Sequence, residues 1–94
     1  MKMVINRCYG GFFISDWCAA QLNIPVDKYG PEYFPERNDP KFVELVKNHP
    51  DKVSGRMAKL KVVSIPDNAT DWQLHDYDGA ESIIYVVDGK IHWA

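Results

Sequence analysis

The sequence predicts an α+β domain, and two observations carry that prediction: the spacing of apolar residues changes along the chain, and turn signals separate the runs. In the first half, apolar residues recur at helical spacing after residues that favour helix starts. From Lys59 onward they alternate with polar residues between Asp-Gly and Pro-Asp-Asn turns. We therefore predict a small single domain, residues 1–94, with an antiparallel or partly mixed sheet of four to five strands and two helices on one face.

The first predicted strand runs from Met3 to Cys8 and ends at a Gly-Gly turn. Adjacent glycines permit backbone angles that a side chain forbids. Ser15 is a favoured N-cap, Asp16 suits the positive end of a helix, and Pro25 stops it, so we predict a helix of about two turns. Residues 25–39 form a long loop whose aromatic rings we expect to pack against the domain.

A second helix is predicted where Asp39 takes the N-cap and Pro40 the first helical position. An apolar stripe from Phe42 to Val46 follows at helical spacing. The remaining chain predicts an antiparallel meander, because strand-like runs alternate with two-residue turns. These runs are residues 60–65, 72–77, 82–87 and 90–93.

Composition and charge exclude several classes of protein. The 94 residues carry 11 basic and 13 acidic side chains, a net charge of −2, so nonspecific nucleic-acid binding is not expected. No apolar stretch approaches the roughly 20 residues of a membrane span, and no signal-peptide pattern opens the chain. Two cysteines are too few for a disulfide scaffold. We expect a cytoplasmic protein in which Cys8 and Cys18 are free thiols.

The glycine turn resembles, in outline, sites where amides at a helix start hold an anion. Arg7 and Tyr9 would add a guanidinium and a stacking ring. The spacing matches neither glycine-rich phosphate motif, so a plain tight turn is the favoured interpretation of these residues alone. Arg37, beside the second helix cap, could pair with Asp39 or bind a ligand phosphate through both guanidinium nitrogens.

The densest titratable cluster, residues 75–78, predicts no reaction. His75 and an acidic neighbour could form a general base, yet no nucleophile motif accompanies them. The three histidines lie on different predicted elements without the spacing of metal ligands. We therefore predict no catalytic residue, no metal and no cofactor.

The opening Ile5-Asn6-Arg7-Cys8-Tyr9-Gly10-Gly11-Phe12, with Ser15, resembles the start of a group of small phage and prophage proteins. Their start reads Ile-Asn-x-Cys-(Tyr/Phe)-Gly-Gly-Phe-Gly-Leu-Ser. Phe13 and Ile14 depart from that pattern, and Phe13 would narrow or reshape a pocket at the turn. Further matching blocks follow in order: Arg37-Asn38-Asp39-Pro40 with Val43, Lys59-Leu60-Lys61-Val62-Val63 with Ile65-Pro66-Asp67, and Tyr77-Asp78-Gly79-Ala80-Glu81.

That family has no assigned activity, but small accessory phage proteins often block host immunity. The resemblance implies a phage-encoded homo-oligomer that sequesters a nucleotide-type immune signal, a cyclic dinucleotide or cyclic ADP-ribose relative, in the infected bacterium. The alternatives are an anti-CRISPR-like inhibitor that binds a host defence protein through its acidic surface and the loop Tyr29 to Phe34, and a small hydrolase using His75. The predicted ligand-binding residues are Asn6, Arg7, Tyr9, Gly10, Gly11, Ser15, Arg37, Asp39 and Tyr77.

Overall fold

The chain forms three helices and seven strands, and every strand pair is antiparallel. The computed structural model describes residues 1–94 and confirms the predicted α+β class. No helix has the length and apolarity that a membrane span requires. The elements are β1 Lys2–Asn6, α1 Asp16–Gln21, β2 Val26–Asp27, β3 Gly30–Pro31, α2 Pro40–Asn48, α3 Pro50–Val53, β4 Leu60–Ser64, β5 Asp71–Tyr77, β6 Ala80–Val87 and β7 Lys90–Trp93.

The strands divide into separate pairs and one sheet, whereas the sequence predicted one continuous sheet. β1 and β4 form a two-stranded ribbon, in register from Lys2 opposite Ser64 to Asn6 opposite Leu60. β5, β6 and β7 form a three-stranded meander, and β2 and β3 form a small hairpin inside the predicted long loop. The ribbon does not extend into the meander because side chains, described below, occupy the other edge of β1.

The ribbon lies between the helices and the meander, so the molecule has three layers. Successive residues of a strand point to opposite faces. Val4 and Leu60 face the helices, where they pack with Phe42 in the larger buried cluster. Met3 and Ile5 face the other way and pack with Ile83 of β6 and Ile65 in the smaller cluster.

Both predicted helix starts are confirmed by their caps. The Ser15 hydroxyl accepts a hydrogen bond from the Cys18 amide at 3.0 Å. The Asp39 carboxylate accepts from the Lys41 and Phe42 amides at 2.9 and 3.1 Å. The short helix α3 is additional to the two predicted helices; Pro50 starts it, since its fixed φ suits the first helical position.

The two Asp-Gly hairpins of the meander are also confirmed. Asp78 and Gly79 have φ of 51° and 89°, and Asp88 and Gly89 have φ of 51° and 74°, as the tight turns between twisted strands require. The aromatic rings of the 25–39 loop differ in their exposure. The Phe34 ring packs edge-on against Phe12 and Phe13, with centroids 5.6 and 6.0 Å apart, whereas Tyr29 and Tyr33 are exposed.

Candidate functional site

Glu81 is a buried carboxylate at the centre of the structure. Its Oε1 accepts hydrogen bonds from Arg37 Nη1 at 2.5 Å and from the Asn6 amide at 2.8 Å. Its Oε2 accepts from Arg37 Nη2 at 2.8 Å, so the ion pair is bidentate. A buried carboxylate is stable only when it is paired and hydrogen-bonded in this way.

Arg37 and Glu81 together cover the edge of β1 that faces away from β4. The Val4 amide donates to the Arg37 carbonyl at 2.8 Å, and Arg37 Nη1 lies 3.3 Å from the Val4 carbonyl oxygen. The guanidinium carbon lies 3.5 Å from the centroid of the Phe12 ring. The pair therefore supplies the hydrogen bonds that a neighbouring strand would give to this edge.

Asn6 is fully buried, and both polar atoms of its side chain form hydrogen bonds. Its Nδ2 donates to the carbonyls of Cys8 and Gly79, each at 2.7 Å. Its Oδ1 accepts from the Lys59 amide at 2.8 Å and from the Cys8 amide at 3.3 Å. The residue thus ties the end of β1 to β4 and to the turn before β6.

Three residues from distant parts of the chain meet in this network, which we call the Asn6–Arg37–Glu81 network. These contacts give the two predicted ligand residues, Asn6 and Arg37, a role in holding the fold together. Ligand binding by either side chain stays a prediction. Arg37 pairs with Glu81 and not with Asp39, which caps α2.

The Gly-Gly turn packs directly on the Asp78-Gly79 turn. The Gly10 amide donates to the Asp78 carbonyl at 2.9 Å, and φ is 133° at Gly10 and 151° at Gly11. A Cβ built on Gly79 would lie 2.4 Å from the Gly11 nitrogen, so the backbones touch. Close backbone approach requires glycine at position 79 and, against Met57, at position 10, while Gly11 suits its positive φ.

A cleft of about 640 Å³ opens on the other side of the glycine turn. This volume is within the range of small-molecule sites, roughly 300–1,000 Å³. Three segments form its walls: the glycine turn with the start of α1, the β2–β3 hairpin, and the turn before β4. The lining residues are Gly10, Phe13, Ile14, Ser15, Asp16, Tyr29, Gly30, Pro31, Ser54, Gly55, Arg56 and Met57.

Arg56 gives the cleft its cation. Its guanidinium forms no ion pair within the protein, whereas Arg37 is fully engaged. The backbone amides of Arg56 and Met57 also donate no hydrogen bond within the protein. A free guanidinium beside unused amides can bind a phosphate group.

Tyr29 gives the cleft an aromatic face. Its ring is 86% exposed on the β2–β3 hairpin, and Lys28 Nζ lies 5.1 Å from the ring centroid. The Phe13 side chain also lines this cleft. Asp16 adds one carboxylate, which can accept a hydrogen bond from a hydroxyl or amino group.

Of the predicted ligand residues, the cleft includes Gly10 and Ser15. Tyr9 and Tyr77 lie outside it and pack edge-on with centroids 6.5 Å apart. Arg7 also lies outside it, with Nη1 3.5 Å from the Glu81 carbonyl oxygen. The sequence did not single out Arg56, and Tyr29 was named only in the loop of the protein-binding alternative; neither residue stands in a motif that points to a ligand.

Outside the cleft, the titratable groups that the sequence singled out are His75 and the two cysteines. No group of three or more His, Cys, Asp and Glu side chains is placed to hold a metal ion. His75 is exposed and its ring packs edge-on against Trp93, 5.6 Å between centroids. Cys18 is buried, and burial raises the pKa of its thiol to about 11. Cys8 is half-buried, and both cysteines are free.

Comparison with known proteins adds no identity. No family model, curated protein or solved structure matches the chain.

Proposed function

We propose that this protein binds a small nucleotide-type anion in the cleft beside the glycine turn. The observation that carries the proposal is the combination of Arg56, whose guanidinium is unpaired, with the exposed ring of Tyr29 in one cleft of about 640 Å³. The guanidinium would hold a phosphate, the ring would stack on a base, and Asp16 would accept from a sugar hydroxyl or a base amino group.

The cleft favours binding over hydrolysis. Ser15, at the start of α1, contributes a hydroxyl group to the cleft. This oxygen already accepts a hydrogen bond from the Cys18 amide and donates one to the Lys52 carbonyl. No histidine lines the cleft, and Asp16, the carboxylate next to Ser15 in the chain, has no hydrogen bond to that hydroxyl. The ligand would therefore be released chemically unchanged.

The biological setting rests on the family resemblance. In that setting the protein is a phage-encoded sponge for a cyclic dinucleotide or a cyclic ADP-ribose relative, acting as a homo-oligomer in the cytoplasm of the infected bacterium. The alternative, an inhibitor that binds a host defence protein, is favoured by one observation: Tyr29 and Tyr33 are exposed together on the 25–39 loop.

Equilibrium dialysis against a panel of these nucleotides tests the proposal. We expect depletion of at least one nucleotide, and its recovery intact after heat denaturation of the protein. Arg56→Gln should weaken binding roughly 10- to 100-fold, since a charge-assisted hydrogen bond contributes about 1.5–3 kcal/mol.

Arg7→Gln is the matched control, because this arginine lies outside the cleft and should leave the affinity unchanged. Two results would contradict the proposal. One is no depletion of any nucleotide, with or without a co-purifying host protein. The other is loss of binding in Arg7→Gln but not in Arg56→Gln.

A further inference from the structure

The meander has one face that nothing in the chain covers. Residues opposite each other on neighbouring antiparallel strands share a face. The covered face carries Glu81 and Ile83, which are buried against β1. The register places a second set on the opposite face, which we call the outer face. Its members are Asp71, Gln73, His75, Tyr77, Ala80, Ser82, Ile84, Val86, Ile91 and Trp93.

The outer face is apolar and strongly exposed. Tyr77, Ile91 and Trp93 expose between 60% and 69% of their surface, and Ile84 and Val86 lie half-buried between them. Tyr9 extends this face by its edge contact with the Tyr77 ring. These four large exposed side chains together leave on the order of 500 Å² open to water, near the upper end of the largest patch on a typical monomer.

We propose that a second copy of this chain covers the outer face, so that two meanders stack face to face. The area argues for this occupant. Two such patches would bury about 1,000 Å² through four side chains of each copy, which is the lower limit for a specific interface. The half-buried residues and polar neighbours between them add to this area.

The charge pattern fits a copy of the same face. Among the outer-face residues, Asp71 is the only carboxylate and there is no lysine or arginine. A face with almost no charge does not repel an identical face. Two copies can therefore pack together across a two-fold axis. Sheets commonly pack face to face about 10 Å apart through apolar side chains of this kind.

Pairing through the β5 edge is less suited to this molecule. β5 is an edge strand of the meander, and the Asp71 carboxylate already accepts from the Trp72 amide at 2.9 Å. Charged side chains along an edge strand oppose strand-to-strand association. Stacking through the outer faces, in contrast, leaves the β5 edge unchanged.

Sedimentation equilibrium of the ligand-free protein over a wide concentration range tests the proposal independently of nucleotide binding. We expect a species of twice the chain's 10.8 kDa. Ile91→Lys should weaken its association at least about tenfold, because the interface would bury an unpaired charge. Val26→Lys is the matched control, an exposed valine outside the meander.

Circular dichroism melting verifies that each variant is folded, and Trp93→Lys replaces Ile91→Lys if the latter does not fold. Dissociation in the outer-face variant with an intact dimer in Val26→Lys supports the proposal. A monomer at every concentration would overturn it. An equal response of the two variants, whether both dissociate or both associate normally, would overturn it as well.

Discussion

Replacing Arg37 by alanine removes the cation that holds Glu81 inside the protein, and we expect a large loss of stability. The Glu81 side chain is 3% exposed and has no alternative cation in contact, whereas the Arg37 side chain is 23% exposed. The substitution leaves a buried carboxylate with one hydrogen bond, from the Asn6 amide. It also removes the guanidinium from the Val4 carbonyl at the β1 edge.

The magnitude follows from the burial of the pair. Breaking a buried ion pair by removing one partner costs about 3–5 kcal/mol, because an uncompensated charge remains inside. In a domain of fewer than 100 residues, each kcal/mol lowers the melting temperature by about 4–8 °C. A loss of about 3 kcal/mol therefore lowers it by roughly 12–24 °C. Glu81→Gln should cost less, since the arginine left behind can reach water.

Urea unfolding followed by circular dichroism measures both variants. Arg7→Ala is the matched control, because its only side-chain hydrogen bond is 3.5 Å long and its loss should cost under about 0.5 kcal/mol. The double variant Arg37→Met, Glu81→Leu should recover part of the stability lost in Arg37→Ala, since no buried charge remains. If Arg37→Ala loses no more than Arg7→Ala, the structural role of the network is wrong.

Three further outcomes are expected. Asn6→Ala should lower the free energy of unfolding by about 2–4 kcal/mol in urea unfolding, because it leaves the Lys59 amide and the Gly79 carbonyl without partners; a loss below about 1 kcal/mol would contradict this. Gly79→Ala should be far more destabilising than Gly89→Ala in the same assay, because a Cβ at Gly79 meets backbone at 2.4 Å while one at Gly89 meets nothing within 4 Å; equal losses would refute the packing of the two turns. Burial raises the pKa of the Cys18 thiol from its ordinary 9.0 to about 11, so folding favours the neutral thiol and the wild type should lose about 2 kcal/mol relative to Cys18→Ala as pH rises from 9 to 11. Parallel stability curves for those two proteins would show that the thiol is not buried.

Local features of the fold could be predicted from the sequence because their causes are local. The caps at Ser15 and Asp39 each satisfy amides two or three residues away. The Asp-Gly turns work in the same way, since two adjacent residues set the hairpin geometry. The α+β class follows from the change in apolar period, which each segment carries by itself.

The division of the sheet could not be predicted, because it depends on contacts between distant residues. Arg37 and Glu81 lie 44 positions apart, and the Asn6 amide reaches Glu81 across 75 positions. In the sequence, nothing distinguishes Glu81 from other acidic residues that follow a turn. Its burial depends on β1, α2 and β6 coming together, which no local pattern records.

The predicted ligand residues and the proposed cleft overlap only in part. Gly10 and Ser15 line the cleft, while the arginine that completes it, Arg56, comes from a segment more than 40 positions later. The sequence drew attention to Arg37 because it stands beside a helix cap. Its ion pair with Glu81 was invisible from that neighbourhood.

An NMR titration of the ¹⁵N-labelled protein with the nucleotide retained in dialysis tests directly whether that nucleotide binds in the cleft, because each backbone amide gives its own chemical shift. We expect the chemical-shift changes to be concentrated at the cleft, at the amides of Gly10, Tyr29, Arg56 and Met57. Shifts centred on Tyr77 and the outer face of the meander, with the cleft amides unmoved, would contradict it.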